Sequence, residues 1–355
     1  MTLTREQRLA ESARKIRPPF ALDPTMRFYS PQENREALDH PRVAPWLRFV
    51  AGEWTPAPVD GAAGRIAVLL PCTKYKPYPT SREHRAINAA LLAAGWAPVP
   101  APVQGDGDVP DALRALLDPG EDPALLHAGP LRRGTTVLDR FVVSEPLALV
   151  PYEHVYSWRG EQSPAASYDD PGLFESRGTS VSPERDDCTA QQRADGSWRW
   201  GPAERDAYAD VHERIVGVLS AALSRLRPSY TAMVAWVSPG LTHRSFLADR
   251  VLRRAEGIAA ARRGTSGMRR LSGVLDAHPG LIDVLPARAH LAQASDALAE
   301  RLRREGRPAT TGSVRSVLAR GDGHDTPLGL PEALVHLTAW LDDHSAAREV
   351  VDGGR

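Results

Sequence analysis

A short unbroken apolar run, Ile66-Ala67-Val68-Leu69-Leu70, ends at Pro71 and gives way, after one polar loop, to a stripe of Ile87, Ala90, Leu91 and Ala94. An apolar run of that length reads as a strand buried on both faces, which an α/β sheet provides. The stripe reads as a helix with one face turned to a core. Strand, loop and helix in that order place the loop at the carboxyl end of the strand and the amino end of the helix. Ligands of open α/β sheets collect there, because backbone N–H groups converge and the loop is free to carry chemistry. The loop is Pro71-Cys72-Thr73-Lys74-Tyr75-Lys76-Pro77-Tyr78-Pro79-Thr80-Ser81-Arg82-Glu83-His84. It holds a cysteine, two lysines, two tyrosines, hydroxyls and a histidine.

The rest of the chain extends this pattern. Residues 1–60 form a leader rich in Pro and charge, and its apolar cluster Trp46, Leu47, Phe49 and Val50 is expected to lie against the core. Trp96–Val99 and Val137–Val143 read as strands, with a short helix near Ala112–Leu117 between them. The Gly105-Asp106-Gly107-Asp108 stretch reads as a solvated turn, since the third glycine of a nucleotide fingerprint is missing. A second loop, Ser144-Glu145-Pro146-Leu147-Ala148-Leu149-Val150-Pro151, is expected to leave a strand's carboxyl end beside the first. From Tyr152 to Gly201 apolar residues are few, and a long functional or mobile loop is expected. An amphipathic helix opening at Pro202 carries Tyr208, Val211, Ile215, Val218, Leu219, Ala222 and Leu226 on one stripe. The strand Tyr230–Val237 and a helix to about Ala261 follow. Alternating strands and helices predict a mainly parallel sheet in a three-layer α/β core over 61–264. Residues 265–355 read as helical pieces broken by Gly and Pro, a helical C-terminal module.

Composition sets further bounds. The chain of 355 residues, 42% hydrophobic, can bury a substantial core. Its formal net charge is zero, yet Leu241–Arg320 holds 15 arginines against 7 acidic residues, so a nucleic-acid contact through the C-terminal module is one expectation. No apolar run approaches ~20 residues and the N-terminus lacks an apolar signal core, so neither a membrane partner nor secretion is expected. Two cysteines far apart argue against a disulfide scaffold, and the cytoplasm is the expected location. The eleven histidines show no paired spacing, so neither a metal site nor a cofactor is expected. Among 44 basic residues only Lys15, Lys74 and Lys76 are lysines. Two of them inside one loop point to a use for a compact, titratable ammonium.

The loop fits P-C-x3-K-P-Y-x2-S-x2-H without a gap, over Pro71, Cys72, Lys76, Pro77, Tyr78, Ser81 and His84. This pattern resembles the catalytic core of the archaeosine synthase family, lysine transferases that act on 7-cyano-7-deazaguanine in tRNA. Asp39-His40-Pro41 and Trp46–Val50 look like that family's lead-in, and Val143–Glu153 like its serine-proline-leucine-glycine-leucine-valine-proline segment. The likeness spans roughly residues 39–260. Glu145 is inserted after Ser144, Thr73 stands for a serine and Ala148 for a glycine. The transglycosylase-like and PUA domains of the larger members are not visible. The resemblance implies a uracil-DNA glycosylase-like core and an amine, such as lysine, added to a nitrile.

The chemistry then assigns roles. A nitrile carbon accepts a soft nucleophile, and a cysteine thiolate forms a thioimidate that an amine displaces. Cys72 is the expected nucleophile, with Lys76 lowering its pKa. His84 falls three residues before Ile87 and seven before Leu91, on the inward stripe, and is expected to shuttle protons. Tyr78, Ser81, Ser144 and Glu153 are expected to bind the base or the amine. Thr80 and Ser81 also read as helix N-caps, with Thr80 and Glu83 spaced as a capping box. Two other classes compete: a non-catalytic base- or nucleic-acid-binding module, and a glycosylase or base-exchange enzyme on the same fold.

Overall fold

The computed structural model describes residues 4–100, 109–171, 173, 175, 180–323 and 326–346. The expected turn at 105–108 lies outside them. A seven-stranded sheet forms the centre. In chain order its strands are β1 (Gly64–Pro71), β2 (Ala97–Pro98), β3 (Leu131–Arg133), β4 (Thr136–Ser144), β5 (Ala148–Pro151), β6 (Ala232–Trp236) and β7 (Asp283–Leu285). The spatial order is β7-β6-β1-β4-β3-β2, with β5 also paired to β4. The pairs β7–β6, β6–β1 and β1–β4 are parallel, whereas β3, β5 and β2 pair antiparallel. The fold is therefore mixed α/β around a mostly parallel sheet.

Burial explains why β1 is central. Ile66, Ala67, Val68, Leu69 and Leu70 are all fully buried, and each large aliphatic side chain of this kind contributes roughly 1.5–3 kcal/mol. Neither face of the strand is left to water, as its unbroken apolar run requires. The helix Arg82–Ala93 buries Ile87 and Leu91 and packs with the helix Pro331–Ala346, which also touches β1. The long helix Pro202–Leu226 packs on β5, on the Pro31–Ala37 helix and on the hairpin strand Ala261–Gly264.

Three parts of the chain run differently from their sequence expectation. After Ser144 the chain turns and comes back as β5, with Ser144 opposite Ala148 and Phe141 opposite Pro151. Ala148 takes a left-handed φ of 58°, the backbone state that glycine occupies most easily. The first part of the stretch after Tyr152 is packed rather than open, with Tyr156, Ser163, Ser167, Tyr168 and Asp169 buried, whereas 183–199 is exposed or half-buried. The C-terminal stretch holds the expected helices Arg288–Arg304, Thr311–Ala319 and Pro331–Ala346, and it also gives β7 to the central sheet. Three residues of sheet pairing leave little periodicity to read, so β7 was invisible as sequence.

The leader covers the loop after β1. Trp46, Leu47 and Val50 are buried. Just past the helix Arg5–Lys15 the backbone pairs with the loop, Lys76 N–H donating to Lys15 O at 3.0 Å and Arg17 N–H to Lys76 O at 2.8 Å. Lys15 Nζ lies 2.7 Å from Asp169, which ties the leader to the wall behind.

Candidate functional site

Parallel strands bring their carboxyl ends to one edge of a sheet, and three neighbours here deliver one reactive side chain each. Cys72 follows β1 directly and continues its ladder, its N–H donating to Val143 O at 3.0 Å. Glu145 follows β4 on one side of β1. His243 comes from the turn after β6 on the other side, in the short helix Thr242–Leu247. Cys72 Sγ lies 3.1 Å from His243 Nε2, and Glu145 Oε2 lies 3.3 Å from the same nitrogen. His243 and Glu145 are buried, while Cys72 is half-buried and can be reached. Burial opposes charge on His243, but the sulfur and the carboxylate together raise its pKa well above the usual histidine value. The arrangement favours an imidazolium beside the sulfur.

The motif's lysine does not touch the sulfur through a hydrogen bond. Lys76 is 1% exposed, and its Nζ donates to Thr73 O at 3.2 Å and stands 4.3 Å from the centre of the Tyr168 ring. Burial lowers its pKa, against the pull of Asp169 and Cys72. It thus fixes the backbone one residue past the nucleophile. Tyr78 is fully buried and hydrogen-bonds Tyr168 at 2.8 Å and Ser144 Oγ at 3.2 Å; Ser144 also bonds the Tyr168 hydroxyl. Tyr78 and Ser144 meet behind the cysteine loop, where their hydroxyls satisfy one another.

His84 is bonded to the backbone at the end of β1 and to Tyr152. Both ring nitrogens are taken: Nε2 bonds Pro71 O at 2.9 Å and Nδ1 meets the Tyr152 hydroxyl at 3.1 Å. Nε2 must donate to the carbonyl, so Nδ1 accepts. The ring stacks over Tyr152 at 5.8 Å between centroids. Burial lowers its pKa to about 4, and Arg140 works in the same direction. A neutral imidazole bonded at both nitrogens holds the end of β1. Ser81 is the N-cap of its helix, accepting from His84 N–H at 3.2 Å. Ser81, not Thr80, is the N-cap, and Thr80 Oγ1 donates to Pro77 O at 2.7 Å.

Glu153 is carried away from the site. Because β5 runs antiparallel to β4, the chain after Pro151 emerges at the other end of the sheet, where Glu153 accepts from Trp54 Nε1 at 2.7 Å. The expected border at Ser144–Glu153 is therefore met only at its start. Cys188 lies apart, and burial raises its pKa. The basic C-terminal surface is partly matched in space: Arg269 pairs with Asp210, Arg301 with Glu332, and Arg307 with Asp322. No helix among the described residues is long and apolar enough to cross a membrane.

Two residues at the centre, His243 and Glu145, escaped the sequence reading. His243 sits 171 residues from Cys72, in the stretch expected to form a helix to about Ala261. Its signal is positional: it is the first histidine after the strand Tyr230–Val237. Glu145, an insertion relative to the family pattern, is the buried carboxylate beside the imidazole. Cys72, His243 and Glu145 each offer a ligand atom to one space, all within 4.8 Å of one another. Beside the His243 turn lies a cleft of about 510 Å³ lined in part by Tyr208, Thr242, Ser245, Arg199 and Arg262. No protein-family model matches the chain, and no curated protein or solved structure matches it either.

Proposed function

We propose that this chain is an amine transferase that converts the nitrile of a 7-cyano-7-deazaguanine, as base, nucleoside or nucleotide in RNA, into an amidine. The observation that carries the reading is the 3.1 Å contact of Cys72 Sγ with His243 Nε2 at the head of the ungapped motif. The thiolate adds to the nitrile carbon, forming the C–S bond, and the nitrile nitrogen takes the proton of the His243 imidazolium. The product is a neutral thioimidate. An amine, with lysine the first candidate, adds to the same carbon and returns a proton to His243. The C–S bond breaks, Cys72 leaves as thiolate, and the amidine contains every atom of nitrile and amine. Glu145 keeps His243 charged and oriented, and Lys76 and His84 position the cysteine loop. The cleft beside His243 is within the ~300–1,000 Å³ range of small-molecule sites and suits one of the two reactants. A uracil-DNA glycosylase-like core belongs to the same proposal, supported by the parallel strand order and a site at the carboxyl edge.

The test is intact-protein mass spectrometry after incubation with the nitrile compound as base, nucleoside and tRNA. Without amine, the protein gains the mass of the whole nitrile compound, since addition expels nothing. Lysine then discharges the adduct and releases an amidine. Absence of both adduct and amidine in every arm rejects the transferase. Tight, unreactive binding would place the chain with base-binding modules.

A further inference from the structure

In a nucleophilic triad the carboxylate orients the imidazole through the nitrogen that faces away from the nucleophile. Here the carboxylate and the sulfur face the same nitrogen, His243 Nε2, and His243 Nδ1 and Glu145 Oε1 are buried without a hydrogen-bond partner. Three donors of different kinds thus converge on one space. We propose that Cys72 Sγ, His243 Nε2 and a Glu145 carboxylate oxygen form a binding site for a divalent ion of the zinc type, and that the ion caps the nucleophile.

The donor set and the spacing both favour this ion. Thiolate, imidazole and carboxylate are the three ligands of protein zinc, held at ~2.0–2.3 Å, so donors around one tetrahedral ion stand roughly 3.4–3.6 Å apart. The observed separations of 3.1 and 3.3 Å are close to that, and all three donor atoms lie within 4.8 Å of one another. Calcium and magnesium prefer oxygen-only shells and do not suit a sulfur ligand. The three ligands arrive from loops after adjacent strands of one sheet, so the site is prebuilt. Half-burial of Cys72 leaves an approach and a fourth position. Binding releases to the buffer the one proton that Cys72 Sγ and His243 Nε2 hold between them, with no change of oxidation state. A sulfur bound to the ion cannot attack an electrophile, so the ion works as a reversible block on Cys72.

The experiment needs no substrate, so it stands or falls separately from the transferase reading. The full chain, stripped with chelator under reducing conditions, is titrated with cobalt(II). One equivalent is expected to produce the near-ultraviolet absorption of a cobalt–thiolate bond, and zinc(II) is expected to bleach it by displacement. His243→Ala and Glu145→Gln are expected to weaken cobalt binding by at least the ~10–100-fold typical of losing a metal's outer-shell partner. Cys188→Ala should leave the titration unchanged. In parallel, stoichiometric zinc should slow alkylation of Cys72 by iodoacetamide, read by peptide mass spectrometry on the unmutated protein. This arm decides the matter even where a variant fails to fold. No thiolate absorption, a band that survives Cys72→Ser in a folded protein, or alkylation of Cys72 unaffected by zinc each overturns the proposal.

Discussion

Cys72 and His243 share one contact of 3.1 Å, so the consequences of losing either can be separated from those of losing the fold. Cys72→Ala is expected to abolish the nitrile adduct, while Cys188→Ala leaves it intact; an adduct that persists without Cys72 removes the covalent mechanism. His243→Ala should slow adduct formation by ~100-fold or more, the usual size of a lost proton transfer. A rate unchanged in that variant would return the proton donor to another group. Ser81 separates binding from architecture. It is 3% exposed, and its hydroxyl caps the helix that carries His84. Ser81→Ala should therefore cost about 1 kcal/mol in urea unfolding and leave the adduct rate within about two-fold. A large loss of rate at full stability would instead make Ser81 a substrate contact.

At the level of elements, two histidines join helices to the strand ends. His84 reaches back from its helix to Pro71 O, and His212, in the Pro202–Leu226 helix, meets Ser245 O at 3.3 Å just past His243. Burial lowers the pKa of His84 to about 4 and, with Arg253 adding to it, that of His212 to about 3. Unfolded, each would titrate near the ordinary 6.5, so below that pH the unfolded chain binds more protons than the folded one. The stability these residues contribute is complete above pH ~6.5 and falls as pH drops toward their folded values. At pH 5 the loss is about 2 kcal/mol for each. Urea midpoints at pH 7, 6 and 5 should decline accordingly, and His212→Phe should remove part of the slope. Midpoints that stay level over this interval would show that neither residue is held neutral by the fold.

For the whole molecule, the leader matters as much as the sheet. Paired backbone at Lys15, Arg17 and Lys76 and the Lys15–Asp169 ion pair close the chain over a lysine that is 1% exposed. Since the chain has only three lysines, acetylation in the native state can be read without ambiguity. Exposed Lys74 should be labelled readily, Lys15 more slowly and Lys76 hardly at all. Deletion of residues 1–17 should open Lys76 to the reagent and lower the thermal midpoint. Equal labelling of Lys74 and Lys76 in the intact chain would mean that the leader does not cover the loop. The arginine surplus between Leu241 and Arg320 is a looser guide, because Arg269, Arg301 and Arg307 find acids brought from elsewhere in the fold. RNA affinity measured by filter binding should accordingly show a shallow salt slope.

Local patterning determined much of this protein. The apolar run Ile66–Leu70 reads as a strand covered on both faces, the stripe of Ile87 and Leu91 reads as helix, and together they set Cys72 at a strand's carboxyl end. Those properties depend on neighbours a few residues away, and sequence displays such neighbours directly. The partners of Cys72 depend instead on strand order. That order sets Glu145 and His243 on either side of β1, and the antiparallel return of β5 takes Glu153 to the far end. His84 shows the same division: its spacing put it on the buried face, yet whether it served the sulfur or the backbone turned on Pro71 O and Tyr152 being closer to hand. Contacts across 171 residues arise from packing of the whole chain, and periodicity carries no record of them.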